Sequence, residues 1–364
     1  MKVKDITNYL ERLAPLAYQE SYDNSGLMLG NYRDEVSGIL FTLDITEEVL
    51  DEAVSEGCNL IIAHHPLIFK GLKKITPDHW VERCVIKAIQ NNLNLYAAHT
   101  NLDNVSHGVN KKISDQIQLL NPQILSPKTD TLFKLVTFIP HENKDEVLKA
   151  MYEAGAGQVG KYDHCSFQMD GTGTFRPGEG TNPHIGEVNE DETVNEVRVE
   201  VIIESPDVSR VVKALQLSHP YEEVAYYLNT LSNPNQDIGS GMIGDLENPM
   251  STSDFLFFLK EKLNTEVVRH TNLCHENIER VAVCGGSGSF LLKQAMAAGA
   301  DIFVTGDFKY HDFFEADNRI IIADIGHYES EQFTKELLYE VLSKKFTNIA
   351  LRLSKVVTNP IKYL

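Results

Sequence analysis

Apolar positions recur at helical spacing near the start of the chain, where Val3, Ile6, Tyr9, Leu10 and Leu13 fall on one face. Short apolar runs of strand length follow at residues 38–43, 60–63 and 95–98. Between them, residues 46–55 carry Val49, Leu50 and Ala53, and residues 81–90 carry Val85, Ile86 and Ile89, at spacings that fit one face of a helix. Strand, helix, strand in this order predicts parallel pairing, because parallel neighbours need a crossover that a helix supplies. The same rhythm returns after residue 278, with strands predicted at 280–284, 301–305 and 319–323 and helices at 290–298 and 331–345. An internal echo links the two ends: EGCNLIIAHH (56–65) and AGADIFVTGD (298–307) both run glycine, polar residue, apolar strand, polar turn.

The middle of the chain has another texture. It opens after the turn-like SPKTD and closes before the breaker-rich SNPNQDIGSGMIGDLENP. Inside it the pattern predicts a strand (134–139), a helix (144–154), a glycine-rich stretch, a strand (196–203), a helix (209–217) and a strand (223–228). The expected fold is therefore α/β. A discontinuous outer domain of two related halves with mostly parallel strands, residues 1–127 and 233–364, carries an inserted ferredoxin-like α+β domain at residues 128–232.

Composition narrows the function. The 364 residues hold 33 Lys and Arg against 52 Asp and Glu, and a net charge of −19 opposes a large phosphate-backbone interface with nucleic acid. The apolar runs fall far short of the roughly 20 residues that span a bilayer, and MKVKDITNYLERL is amphipathic and unlike a signal peptide, so the expected setting is cytoplasmic, with no membrane partner. Five cysteines without a Cys-x-x-Cys pair indicate neither a disulfide framework nor a thiolate zinc site.

Candidate chemistry gathers where ligands bind in α/β sheets, beyond the carboxyl ends of the strands. His64 and His65 end the second strand of the first half, Asp103 in AAHTNLD follows the next, and His327 in IIIADIGHYESE follows the last strand of the second half. Glu331 lies four residues after His327, on the same face if a helix begins near Tyr328. Three imidazoles and two carboxylates suit borderline divalent ions such as Zn, Fe, Mn, Co or Ni, and five ligands exceed one tetrahedral ion. The economical reading is two ions about 3.5–4 Å apart with Glu331 between them, a pair able to activate water for hydrolysis. Taken singly, His-His-Pro also reads as a turn, Asp103 as a cap, and His327 with Glu331 as a solvated helix start.

Other residues sit in the same loops. Asp23 and Asn24 in YDNSG, His99 and Thr100 in AHTNLD, and Asp307 and His311 in TGDFKYH could orient ligands, or simply form turns. CGGSGSF (284–290) reads as a tight strand-to-helix turn, since it lacks the Lys-Ser/Thr of a P-loop. Lys70, Lys73, Lys74 and Lys309 are the basic residues close in sequence to these loops, each with the alternative of a solvated surface position. His164 and Cys165 belong to no paired ligand motif.

YDNSGLMLG (22–30), AHHPLIF (63–69), AHTNLD (98–103), TGDFKYHD (305–312) and DIGHYESE (324–331) resemble the motifs of the Nif-three-like dinuclear metal-centre family, whose members are often named GTP cyclohydrolase 1 type 2 homologues. The likeness extends to the middle segment, where YDHCSFQMDGTGTFRPGEGTNPHIG (162–186) and SHPYEEVAYYL (218–228) look like the PII/CutA-like insert of longer bacterial members. The resemblance implies two divalent metal ions held by His64, His65, Asp103, His327 and Glu331, and a homohexamer built as a trimer of dimers. It implies either hydrolytic opening of a purine nucleotide such as GTP or, as the alternative, a metal-binding or metal-trafficking scaffold with a regulatory insert. No residue is singled out as catalytic.

Overall fold

A computed structural model describes residues 1–364. In chain order the strands are β1 (Gly26–Leu29), β2 (Gly38–Thr42), β3 (Leu60–Ala63), β4 (Asn94–Ala97), β5 (Leu120–Lys128), β6 (Leu132–Pro140), β7 (Phe167–Phe175), β8 (Glu192–Glu204), β9 (Tyr226–Leu231), β10 (Asn235–Ser251), β11 (Arg269–His270), β12 (Asn277–Ser287), β13 (Ile302–Gly306), β14 (Ile321–Asp324) and β15 (Ala350–Leu353). They form a mixed α/β fold of three sheets with both parallel and antiparallel pairings. The chain divides into two compact units, residues 1–127 with 236–364, and residues 128–235.

In the larger unit, the first sheet has the order β1-β4-β3-β2-β15 and the second β11-β14-β13-β12-β10-β5. β2, β3 and β4 are parallel, with β1 antiparallel beside β4; β12, β13 and β14 are parallel, with β11 antiparallel beside β14. The two echoing segments of sequence are thus the central strands β3 and β13, in equivalent places of two sheets with the same local order.

Period-two alternation explains the layers. Ile39 and Phe41 of β2 join a core with Val3, Ile6 and Leu10 of the first helix and with Val281, Ile302 and Ile321 of the second sheet. Leu40, Ile61 and Leu95 point the other way, onto helices Glu47–Ser55 and Trp80–Gln90. Ala282, Phe303 and Ile322 likewise cover the far face of the second sheet against Leu292 and Ala295. The inner faces of both sheets therefore share one core, in which each fully buried large apolar side chain contributes about 1.5–3 kcal/mol. That shared core brings the carboxyl ends of β3 and β4 within reach of those of β13 and β14. No helix is long and apolar enough to cross a membrane.

Four expected elements differ. The breaker-rich 232–249 stretch is β10, whose ladder with β12 shifts register between Asp245 and Met250, so its glycines and proline fall in a long irregular strand and not in a linker. Helix 331–345 is two helices, His327–Glu331 and Thr334–Lys345. In the smaller unit the glycine-rich stretch contains β7, and the last strand is Tyr226–Leu231, three residues beyond the expected start. That unit has the antiparallel order β7-β8-β6-β9, with helices Lys144–Glu153 after β6 and Val208–Ser218 after β8 packed by Leu135, Val199, Met151 and Leu215.

The chain leaves and re-enters the larger unit on neighbouring strands. β5 and β10 are adjacent, and Gly239 passes so close to Ser126 that a Cβ there would meet its carbonyl oxygen at 2.2 Å. Joining Pro127 to Gln236 through a short Gly/Ser linker should accordingly leave a folded larger unit. Circular dichroism and a cooperative thermal transition check this; a deletion variant unfolded under native conditions would show that the larger unit needs the insert.

Candidate metal centre

Local folding places each donor. β3 ends at Ala63, and the chain turns so that the His64 and His65 amides both donate to the Leu43 carbonyl. Helix Thr100–Asp103 begins directly after β4 and carries Asp103 at its end. After β14, Gly326 adopts φ 95°, a conformation that favours glycine, and the helix starts at His327, which puts His327 and Glu331 one turn apart on one face. The turn is confined further by Glu329, since a Cβ on Gly326 would meet that carboxylate at 2.2 Å.

All five expected donors come together, in two sets that share Glu331. In the first, His65 Nε2 and His327 Nε2 each lie 3.0 Å from Glu331 Oε2 and 3.3 Å from one another. In the second, His64 Nε2 lies 3.6 Å from Glu331 Oε1 and 3.6 Å from Asp103 Oδ1. Donor separations of this size are the edges of a coordination shell with bonds of about 2.0–2.2 Å. His64 is fully buried and Glu331 only 3% exposed. His64 Nε2 and Asp103 Oδ1 are buried without any hydrogen-bond partner, an arrangement that costs about 1–3 kcal/mol per group unless an ion or water satisfies them. The donor sets could hold a metal ion.

The outer ring of contacts aims the imidazoles. His64 Nδ1 donates to the Ala98 carbonyl at 2.8 Å, since a carbonyl only accepts, and this turns Nε2 to the centre. His65 Nδ1 donates to Asp44 Oδ1 and His327 Nδ1 to Asp307 Oδ2, each at 2.7 Å. Asp44 is in turn held by Thr358 of the C-terminal tail, Oγ1 to Oδ2 at 2.5 Å. Gly286, at φ 60°, leaves the space that Glu331 occupies: a Cβ there would stand 2.5 Å from Oε1. The glycines of CGGSGSF therefore admit a carboxylate side chain, a role beyond the tight turn read from the sequence.

Electrostatics follows the same geometry. Burial alone would lower the His65 and His327 imidazoles, yet Asp44 and Glu331 push His65 up to about 9, and Glu331 and Asp307 push His327 up to about 11. Burial would raise Glu331, but the nearby imidazoles of His64 and His327, the latter also hydrogen-bonded to it, hold it well below the usual range. Asp103 rises to about 8 through burial and then the nearby charge of Glu331. Protons thus occupy positions that cations would take over, and metal binding would release them. Burial, with Asp103 and Glu331 close by, pushes the Cys284 thiol up and keeps it protonated.

Of the loop candidates, His99 also reaches the centre, grouped with His64 and His65, and its Nδ1 bonds Asp23 Oδ1 at 2.7 Å. Despite burial, hydrogen bonds from His99 and Thr100 hold the Asp23 carboxyl well below the usual range. Asn24 ties this loop to the His-His-Pro loop through the Ile68 carbonyl at 2.6 Å. His311 does not take part; its exposed ring rests beside Tyr310. His164 packs on Tyr152, and Cys165 lies in no donor group. Lys70, Lys73, Lys74 and Lys309 are exposed. Asp44 escaped the sequence reading, although it too follows a strand end, in TLDIT after β2.

Known proteins share this architecture. The sequence matches the Duf34/NIF3 (NGG1p interacting factor 3) family over residues 1–360. It is 38% identical to a Halalkalibacterium halodurans protein named GTP cyclohydrolase 1 type 2 homolog, over 99% of this chain and 98% of that protein, and 37% identical with the same coverage to a Bacillus subtilis protein of the same name. The fold superposes on a Bacillus cereus protein related to NIF3 with a TM-score of 0.86 at 36% identity, covering 100% of this chain and 99% of that one. A Staphylococcus aureus protein at 34% identity gives 0.80 with the same coverage. With the match running through both halves and the segment between them, the chain belongs to the Duf34/NIF3 family.

Proposed function

We propose that the protein is a dinuclear divalent-metal hydrolase acting on a nucleotide, as the name GTP cyclohydrolase 1 type 2 homolog suggests for its relatives. One observation carries the reading: two three-donor sets share the two oxygens of Glu331, one with His65 and His327, the other with His64 and Asp103. Imidazole with carboxylate suits Zn, Fe, Mn, Co or Ni better than Mg or Ca. When bound, two such ions supply Lewis acidity and an activated water.

The chain's own residues supply the rest. His99 holds Nδ1 on Asp23, which orients the ring and leaves Nε2 turned to the centre as a proton carrier. Tyr22 and Phe69, both exposed, lie with ring centroids 6.2 Å apart, and Phe69 lies 6.2 Å from His99. They offer a planar ring a stacking wall beside the reacting position. The alternative, a metal-binding or metal-trafficking scaffold, is favoured by one feature: the lysines nearest the site loops in sequence are exposed, and Lys74 already pairs with Asp78 at 3.6 Å. The same proposal includes a cytoplasmic homohexamer. It also takes the insert as ferredoxin-like, on its β6-helix-β7-β8-helix-β9 sequence, and the outer unit as two related halves.

Elemental analysis after gel filtration should give about two metals per chain, nearer one in Asp103→Asn, and the least in Glu331→Gln, because that amide weakens both sets. A wild-type stoichiometry of one, or full occupancy in both variants, would remove the dinuclear assignment.

His99→Ala should retain the metals and the fold but lower hydrolytic turnover of GTP by about 10²-fold or more. Metal-loaded wild-type protein without turnover on GTP, other nucleotides or phosphodiesters would favour the scaffold. Turnover unchanged in His99→Ala would remove the proton-carrier role alone.

A further inference from the structure

The insert carries chemistry that the metal centre does not use. On the sheet face away from its helices is a cavity of about 560 Å³, within the size range of small-ligand pockets. Its floor is β7 against β8, where Gly171 pairs with Glu196 and Met169 with Arg198. Two glycines make the space. A Cβ on Gly171 would meet nothing within 4 Å, whereas one on Gly173 would stand 2.3 Å from Glu196 Oε2. The GTGTF motif therefore leaves room for a carboxylate to lie across the strand.

That carboxylate is the unexplained group. Glu196 is 8% exposed, and its Oε1 accepts from the Tyr221 hydroxyl at 3.0 Å. Oε2 accepts from no protein donor and is not sealed from solvent, which leaves its lone pairs open to a donor entering the cavity. The HPYEE motif exists around this contact: the Tyr221 amide donates to His219 Nδ1 at 3.1 Å, and His219 Nε2 donates to the Phe138 carbonyl at 2.9 Å. Tyr221 is thereby pinned, with Phe175 at 5.9 Å between ring centroids.

The walls select the ligand. Phe138 and Tyr227 meet edge to face at 5.9 Å and present apolar ring surface to the cavity. Asp170, Glu222 and Glu223 add negative charge to the lining. The one arginine, Arg198, is already bonded to Glu200, Nε at 3.0 Å and a terminal nitrogen at 2.6 Å. Anions are therefore disfavoured, and a cation gains both from Glu196 and from the ring faces.

We propose that this cavity is a binding site for a small aromatic organic cation of amidine or amine type, whose N–H groups donate to Glu196 Oε2 while its ring stacks among Phe138, Phe175 and Tyr227. The site is separate from the metal centre and independent of how the metals are used.

Benzamidine is the probe, titrated into the full-length protein by calorimetry with benzoate as the matched anion. The expected result is saturable binding at one per chain, in the millimolar range or tighter, with no binding of benzoate. Glu196→Gln should weaken it by about tenfold or more, the worth of a charge-assisted hydrogen bond. Gly173→Ala, which keeps the charge but crowds the carboxylate, should give a comparable loss, and it decides the question if Glu196→Gln does not fold. Glu331→Gln should leave benzamidine binding unchanged. Absence of saturable binding, equal affinity in the folded variants, or benzoate binding as tightly as benzamidine would overturn the proposal.

Discussion

A carboxylate held out of water by three imidazoles is the constraint on which the centre depends. Glu331 is 3% exposed, and an unpaired charge at such a position is costly. Its two oxygens are divided, one toward His64 and the other toward His65 and His327, so these three imidazoles answer to one side chain. The backbone is shaped to permit this. Gly286 withdraws its Cβ from the carboxylate, the Ser330 hydroxyl accepts from the Gly286 amide at 2.8 Å, and Gly326 turns the chain into a five-residue helix. A larger residue at Gly286 would force the Glu331 carboxylate away from its partners, and one at Gly326 would collide with the Glu329 carboxylate.

Convergence on Glu331 is a property of two sheets and not of either alone. The first half contributes His64, His65 and Asp103 from the ends of β3 and β4, the second His327 and Glu331 from the end of β14. Because both sheets bury their inner faces in one core, a cavity among Phe41, Val281 and Ile302 would disturb the spacing of donors from different halves as well as stability. The orienting acceptors are similarly shared. Asp44 follows β2 and Asp307 follows β13, and Thr358 brings the C-terminal tail onto Asp44, so it helps fix the ring of His65, some three hundred residues earlier in the chain.

The insert repeats the same physical device on a different scale. A glycine strand makes room for a buried carboxylate, and an aromatic hydroxyl satisfies one oxygen while the other is left without a protein donor. Two motifs that look like ordinary strand and turn chemistry in the sequence, GTGTF and HPYEE, are thus halves of one arrangement, since Gly173 and Tyr221 meet only through Glu196.

Much of the site was legible in the residues. His-His at a strand end and His-x-x-x-Glu after another are local patterns, and the rule that ligands gather beyond parallel strand ends unites them without coordinates. The apolar runs of β2, β3, β13 and β14 were equally readable, because strands buried on both faces carry unbroken hydrophobic stretches. What stayed hidden was set by pairing across distance. β7 and β10 are rich in glycine and polar residues, and they are strands because partners with registered ladders hold them, against their own propensity. Asp44 drew no reading until the fold laid His65 against it, and which oxygen of Glu331 serves which imidazole depends on an angle between helix and sheet that no spacing encodes. Ligand types and strand ends are local chemistry, written in order along the chain; division of one carboxylate between two donor sets is a three-body geometry, which exists only once two sheets have packed on a common core.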